Sequence, residues 1–435
     1  MTSIEIGLAG IGVLLVLIAL RVPIGVALIG VSFVGIWILV GERPAWGILT
    51  STPYNFVARW SLSSIPMFLL MGYFCYHAGL TKGLFDAARM WLSRLPGGLA
   101  IASVFGSAGF AAVSGSSVAC AAAMGRIAIP EMMRNRYDPS LATGTIAAAG
   151  TIGALIPPSI LMILYGIFVE VPISQLFLGG VSVGLITAAG YVIVILVRVK
   201  LNPELAPHYR DEVTLRDKVH ALRDTWPLLV IMVGVFGGLF SGAFTATEAG
   251  GFGAFLSFVV AAIKGKLTWV NTRNALIETL VTCGSLLIIA IGAGMLTRFL
   301  ALSGAGDFLS AFVLGLGTEP WVLLLMISLM YLVLGMFLEP IGAMLLTIPI
   351  LLPILDSTGY SLIWFGVVLT KFLEIGMITP PIGLNVFVIK GVVGNTVSTS
   401  AIFRGIFWFM IADLIVVTLL LVFPRIVLFL PDLLG

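Results

Sequence analysis

The residues best suited to bind something fall in three short stretches. Ala112–Arg126, AVSGSSVACAAAMGR, sets Ser114, Gly115, Ser116 and Ser117 in a polar turn inside apolar sequence. Gly150–Ile160, GTIGALIPPSI, and Glu374–Asn385, EIGMITPPIGLN, each put a double proline inside a long apolar run. Proline has no N–H to donate and its ring clashes with the preceding turn, so a helix must break near Pro157-Pro158 and Pro380-Pro381. Backbone groups freed at membrane depth persist only where they are buried in protein or line a site. Hydroxyls and bare carbonyls suit a hard cation such as sodium, and half-helix N-termini favour an anionic group. Two breaks predict at least two cation sites, one in each half. The simpler alternative is that these small residues only let helices pack closely. Gly335 and the Glu339-Pro340 break hold the corresponding place in the second half, and Thr379 adds a hydroxyl there, which favours a site.

Ionisable residues in apolar runs are functional suspects by default. Glu374 lies one turn after Lys371, so a mutual ion pair on one helix face is expected. Glu248, in TATEAGGFGA, reads as a helix cap. Glu131 and Asp138 are expected in a solvated cluster with Arg126, Arg134 and Arg136. Asp413 has no specific partner in view, and His77, His208 and His220 are scattered outside any motif. Cys75, Cys120 and Cys283 read as small buried hydrophobes, neither disulfides nor a transition-metal set. Trp37, Trp46 and Trp60 read as interfacial anchors. No phosphate-binding GxxxxGK[ST] loop, HExxH pair or GxSxG elbow is present, so no enzyme and no organic cofactor are expected. The small net charge of +3 gives no support to nucleic-acid binding.

The elements that position these stretches follow from composition. Sixty per cent of the 435 residues are apolar and only 10% are charged, against about 25% charged in soluble domains, so a polytopic all-α membrane protein is expected. The first apolar segment, residues 4–20, reads as a retained helix. Crossings are expected near 4–20, 23–41, 61–79, 140–168, 174–197, 226–244, 247–263, 275–297, 361–390 and 405–424, with re-entrant hairpins near 98–133 and 320–355. With both termini periplasmic, eighteen basic residues fall on the cytoplasmic side and four outside, as the positive-inside rule demands. A shift of 223 positions superposes Gly83 on Gly306, Pro130 on Pro353, Gly153 on Gly376 and Pro157-Pro158 on Pro380-Pro381. Five crossings and one hairpin per half make the halves inverted repeats, 1–197 and 226–435, joined by a cytoplasmic linker at 198–225. The first hairpin then opens inward and the second outward. Amphipathic pieces at 81–96 and 303–318 are expected as interfacial arms.

The run SGSSVACAAAMGRIAIPEMMRNRYDPSLATGTIAAAGTIGALIPPS closely resembles the large membrane subunit of tripartite ATP-independent periplasmic (TRAP) transporters. RLPGGLAIASVFGSAGFAAVSGSS, TATEAGGFGA and WFGVVLTKFLEIGMITPPIGLNVFV are similar to it too, so the likeness covers nearly the whole chain. It implies an elevator-type, sodium-driven importer of organic acids in the bacterial inner membrane. A periplasmic binding protein would deliver the substrate, and a separate small four-helix membrane subunit would brace the large one. Carried over by motif, one sodium site uses Ser116, Ser117, Gly153 and Pro157, and the other Gly335, Gly376, Thr379 and Ile382, largely through carbonyls. Substrate contacts are expected at Ser114, Gly115, Ser159, Pro380 and Asn385. The alternatives are a sodium–dicarboxylate symporter working without a binding protein, and a structural or signalling scaffold.

Overall fold

The computed structural model describes residues 1–207, 214–315 and 319–434, all helix and connecting turns with no strand among them. His208 and the last residues of the second expected arm, 316–318, lie outside the described residues. The chain opens with α1 (Ser3–Ala19), begun by a Thr2–Glu5 capping box, then α2 (Ile24–Val40), α3 (Glu42–Val57) and α4 (Ser64–His77). The amphipathic α5 (Lys82–Leu92) follows. After it, α6 (Gly98–Ser114) and α7 (Ser117–Arg134) fold back on each other through a two-residue turn, a helical hairpin at the expected place. α8 (Pro139–Gly150) runs into a 3-10 turn at Thr151–Ala154, then an irregular stretch through Pro157-Pro158, before α9 (Ile160–Val169) resumes. α10 (Ile173–Leu201) and α11 (Leu215–Arg223) lead out of the first half.

The second half comprises α12 (Trp226–Phe240), α13 (Ala246–Ile263), the 35-residue α14 (Trp269–Ser303) and α15 (Ala305–Gly315). A second hairpin, α16 (Pro320–Phe337) and α17 (Pro340–Thr358), precedes α18 (Leu362–Gly376), the Pro380-Pro381 break and α19 (Leu384–Val393). α20 (Thr399–Val422) and α21 (Arg425–Leu434) end the chain. α15 stands 223 positions beyond α5 at both ends, and α17 starts 223 positions after α7. Four helices, α10, α13, α14 and α20, are each long and apolar enough to cross a membrane, while α1, α2, α6 and α9 are apolar but shorter.

Helices in lipid gain little from the hydrophobic effect, so close packing over small residues must hold them. Gly25 meets the backbone of Ile288 where α2 runs along α14, and Gly250 of α13 meets the Ser64 carbonyl and Phe68 of α4. Together α1–α4 and α12–α14 form one packed group. In the other, α8 lies against α20 through Gly144 on Gly405, so tightly that a Cβ on either would fall within 2.5 Å of the partner backbone. This second group interlaces the halves: α8 of the first packs on α19 and α20 of the second, and α18 of the second on α9 and α10 of the first. The first hairpin packs against α8 and the 3-10 turn, and α16 packs along α18.

Candidate functional site

Ser116 takes an extended conformation and caps α7, its hydroxyl accepting from the Ala119 amide at 3.4 Å. Gly115 before it has φ +64°, a backbone shape that favours glycine. That turn presses on the first helix break. A Cβ on Gly115 would lie 2.0 Å from the Pro158 carbonyl oxygen, and the Ile160 amide donates to the Gly115 carbonyl at 3.4 Å. A Cβ on Gly153 would lie 2.8 Å from the Ser116 carbonyl oxygen, so glycine alone fits beside that oxygen, which accepts from the Cys120 amide at 2.9 Å. Ser116, Ser117, Gly153 and Pro157, expected together, thus sit at one meeting of hairpin tip and broken helix.

The second break is built differently. Gly376 lies against Gly335 of α16, where a Cβ would come within 2.5 Å of the Gly335 Cα. The Thr379 hydroxyl donates to the Ile375 carbonyl at 2.6 Å, which leaves its lone pairs free to face a cation. Its amide donates to the Gly376 carbonyl at 3.1 Å. Ile382 is half-buried in the same turn.

Between these breaks lies a cavity of about 590 Å³. Its walls are the first hairpin from Ser114 to Arg126, the inner faces of α4 and α14, Glu339–Ile341 at the second hairpin tip, and Glu374 and Met377 of the second broken helix. The Ser114 hydroxyl is buried there and finds no protein partner, an arrangement that invites an ion or a ligand. The site therefore offers oxygen donors without a metal-binding cluster of His, Cys or acidic residues among the described residues.

Other expected substrate contacts stand elsewhere. Ser159 is buried and caps α9, accepting from the Met162 amide at 3.2 Å. Asn385 is buried away from the cavity lining and donates to the Ala147 carbonyl of α8 at 3.3 Å. Pro380 is exposed and does not line the cavity.

The expected Lys371–Glu374 ion pair does not form. Lys371, fully buried, donates to Asp413 of α20 at 2.5 Å, and Asp413 also accepts from the Tyr191 hydroxyl of α10 at 2.9 Å. Tyr191 in turn lies 3.0 Å from the Thr151 hydroxyl at the first break. Glu374 instead accepts from the Ser117 hydroxyl at 2.5 Å. The reason is geometric: α18 is buried on every side from Trp364 to Gly376. Two residues three apart lie on adjacent faces of a helix, and here each face has its own neighbour. Asp413 thereby gains the partner that its sequence did not supply.

The acidic cluster also divides. Glu131 pairs with Arg89 at 2.5 Å and with Arg134 at 3.9 Å. Asp138 caps α8 through the Ser140 and Leu141 amides. Arg126 leaves the cluster, lines the cavity and donates to the Tyr76 hydroxyl at 2.7 Å. Glu248 does cap its helix, in a box with Thr245. Tyr73, Tyr76, Glu278 and Thr282, which no sequence motif marks, line the cavity, and so do His77, outside any motif, and Arg126, expected in the acidic cluster. Tyr73 lies 2.9 Å from Thr282, and His77 3.2 Å from Glu278. A signal existed. Val118, Ala122 and Arg126 recur every four residues from the polar turn, as do Glu278, Thr282 and Leu286, so each set shares a helix face.

A family model described as "Tripartite ATP-independent periplasmic transporter, DctM component" matches residues 11–426. The chain is 36% identical over 382 residues to the C4-dicarboxylate TRAP transporter large permease protein DctM of Pseudomonas aeruginosa, covering 87% of each. It is 30% identical over 421 residues to the sialic acid TRAP transporter large permease protein SiaM of Vibrio cholerae, covering 94% of this chain and 95% of that one. These relatives are named as permeases, not enzymes. Among solved structures, the Alcanivorax borkumensis YdaH transporter, described as having an unusual topology, is similar in fold with a TM-score of 0.59 and 15% identity. That match covers 87% of this chain and 88% of the other.

Proposed function

The chain belongs to the DctM component family of tripartite ATP-independent periplasmic transporters, and on that premise we propose that it is the large permease of a sodium-coupled organic-acid importer in the bacterial inner membrane. A periplasmic binding protein would supply the substrate and a small four-helix subunit would brace the scaffold. The observation that carries this reading is the cavity lined by the first hairpin tip, the second hairpin tip and the second broken helix together. Relatives named for C4-dicarboxylate and for sialic acid support a carboxylate.

Sodium fits the first site through the second lone pair of the Ser116 carbonyl, whose first takes the Cys120 amide, and the orphaned Ser114 hydroxyl. At the second site it fits through carbonyls around the Gly335–Gly376 contact and the lone pairs of Thr379. Sodium entering these sites orders the hairpin tips, and the substrate carboxylate then offsets the added charge in the cavity. The hydrogen bond from Ser117 to Glu374 ties the first hairpin tip to the helix that leads into the second break, so ordering one site is felt at the other. The interlaced second group, with the recurrence of elements 223 positions apart, supports two inverted repeats and a rigid body that slides against α1–α4 and α12–α14. The arms α5 and α15 would let it move. Both termini would face the periplasm.

The test is uptake of radiolabelled organic acids into proteoliposomes under an inward sodium gradient, with and without the small subunit and the binding protein. Uptake that needs sodium and both partners is expected. Sodium-driven uptake by this chain alone would instead establish a symporter that needs no binding protein, and uptake indifferent to sodium would sink the coupling.

A further inference from the structure

The nine residues of α11, LRDKVHALR, carry two stripes that the transport reading leaves unused. Leu215, Val219 and Leu222 recur at helical spacing on one face and are all exposed, Leu215 by 74% and Val219 by 58%. Arg216, His220 and Arg223 each stand one position further on, about 100° round the helix, and are exposed too. A shallow groove lined by Leu215, Arg216, Val219, His220 and Arg223 joins the two stripes. Neither arginine pairs with an acid among the described residues. The other side of the helix is taken by α5. Ala221 is buried, the Trp91 indole donates to the Lys218 carbonyl at 3.2 Å, and the Lys218 ammonium lies 5.6 Å from that ring's centroid.

The neighbouring elements identify what covers the exposed stripe. α11 meets the apolar α12 at a bend of 50°, so it leaves the line of that helix at the edge of the membrane. Trp226 opens α12, and Lys264 of α13 lies over its ring at 5.7 Å, the level at which aromatic rings and cations meet lipid headgroups. Two arginines, a lysine and an aspartate make α11 too polar to enter hydrocarbon, while its apolar stripe is poorly suited to water. Both demands are met when the helix lies along the interface, with leucine and valine among acyl chains and arginine at the phosphates. The planar guanidinium matches phosphate oxygens in pairs. α5 grips the corner between α11 and α12 at its other end as well, where a Cβ on Gly83 would lie 2.4 Å from the Asp224 carbonyl oxygen.

We propose that α11 is a binding site for anionic phospholipid: Leu215, Val219 and Leu222 lie among acyl chains, and Arg216, His220 and Arg223 hold the headgroup phosphate. Lipid bound there keeps the attached arm α5 in the interface. This placement needs only that α12 crosses the membrane, and so stands apart from the question of what is transported.

The test uses the full chain bound to its small subunit. Cys75, Cys120 and Cys283 are all buried, so a fluorophore attached through Val219→Cys reports on α11. In proteoliposomes, lipids brominated high on their acyl chains should quench that label, and should leave a label at the exposed Glu204→Cys bright. In detergent, dioctanoyl phosphatidylglycerol should stabilise the protein against heat at about tenfold lower concentration than dioctanoyl phosphatidylcholine, and glycerol 3-phosphate should not. Arg216→Gln and Arg223→Gln should each weaken the phosphatidylglycerol response by about fivefold, with Arg223→Lys retaining most of it. If labelling unsettles the helix, the lipid comparison on the unlabelled protein decides alone. An unquenched label at 219, equal responses to the two lipids, or a preference unchanged by both arginine substitutions would each overturn the proposal. Glycerol 3-phosphate matching phosphatidylglycerol would make this a soluble-phosphate site instead. A disulfide between copies through Val219→Cys that shuts out the quencher would make the stripe an interface between copies, and so overturn it too.

Discussion

The two hairpins cap their second helices alike, through Ser116 and Glu339, but meet the two helix breaks by different means. At the first, side-chain oxygens and one left-handed glycine do the closing: Ser116 caps α7, Ser117 reaches Glu374, and Gly115 covers the Pro158 carbonyl. Pro157 and Pro158 are buried beneath that tip. At the second, the absence of side chains does the work, Gly335 lying on Gly376, and Pro380 and Pro381 stay exposed. At positions 223 apart the hairpin tips act alike, Ser116 capping α7 and Glu339 capping α17, and the difference lies beside the caps, because Gly335 stands 223 positions after Ala112. A fold can hold the geometry of paired sites while each half chooses its own way of making room for an ion.

The strongest way to break the comparison is to remove what both sites share. The Lys371–Asp413–Tyr191–Thr151 chain links the helix before the second break to the start of the first. Asp413→Ala leaves a buried lysine without its counter-charge, a change that costs about 3–5 kcal/mol. It should lower the thermal unfolding midpoint sharply and abolish sodium-dependent stabilisation at both sites. Survival of either sodium response would show that the sites are held independently.

Glycine substitutions come next, because they separate the sites. Gly115→Ala adds a left-handed penalty of about 1–2 kcal/mol to a clash with backbone. Gly376→Ala overpacks the second contact at about 1–3 kcal/mol. Each should make uptake depend less steeply on sodium, with the other site still responding. An equal loss of both responses from one substitution would argue against two sites.

Hydroxyl deletions should do less to stability and more to function. Ser117→Ala removes the donor to buried Glu374, about 0.5–1.5 kcal/mol. Its expected signature is weakened coupling between sodium and substrate in uptake assays. The smallest effect belongs to Thr379→Ser, which keeps the oxygen. Its sodium dependence should match the unaltered protein, while Thr379→Val should lose it. If valine is tolerated as well as serine, the second site does not use that hydroxyl.

Local chemistry was enough to place much of this. Double prolines and short polar turns mark breaks because proline cannot donate and glycine tolerates left-handed backbone, and the structure interrupts its helices there. Amphipathic spacing marked α5 inside residues 81–96. Ser116, Gly153, Gly335 and Gly376 were legible for the same reason, since each stands at a break or opposite one. Arg126 was not, because its charge read as a cytoplasmic loop residue until α7 carried it along the cavity wall. Lys371 and Asp413 were not either. They lie 42 residues apart, and the only partner visible by helical spacing was the wrong one.

By itself the sequence determined where most of the long apolar helices run and where two of them break, though not the helices α3 and α21, because those features depend on each residue's own backbone limits and on periodicity within one segment. The tertiary structure alone decided who faces whom: Ser117 on Glu374, Lys371 on Asp413, Asn385 on the Ala147 carbonyl, and Arg126 on the Tyr76 hydroxyl. The buried pairs depend on how the halves interlace through Gly144 and Gly405, since a buried polar group takes whichever partner that packing brings within reach.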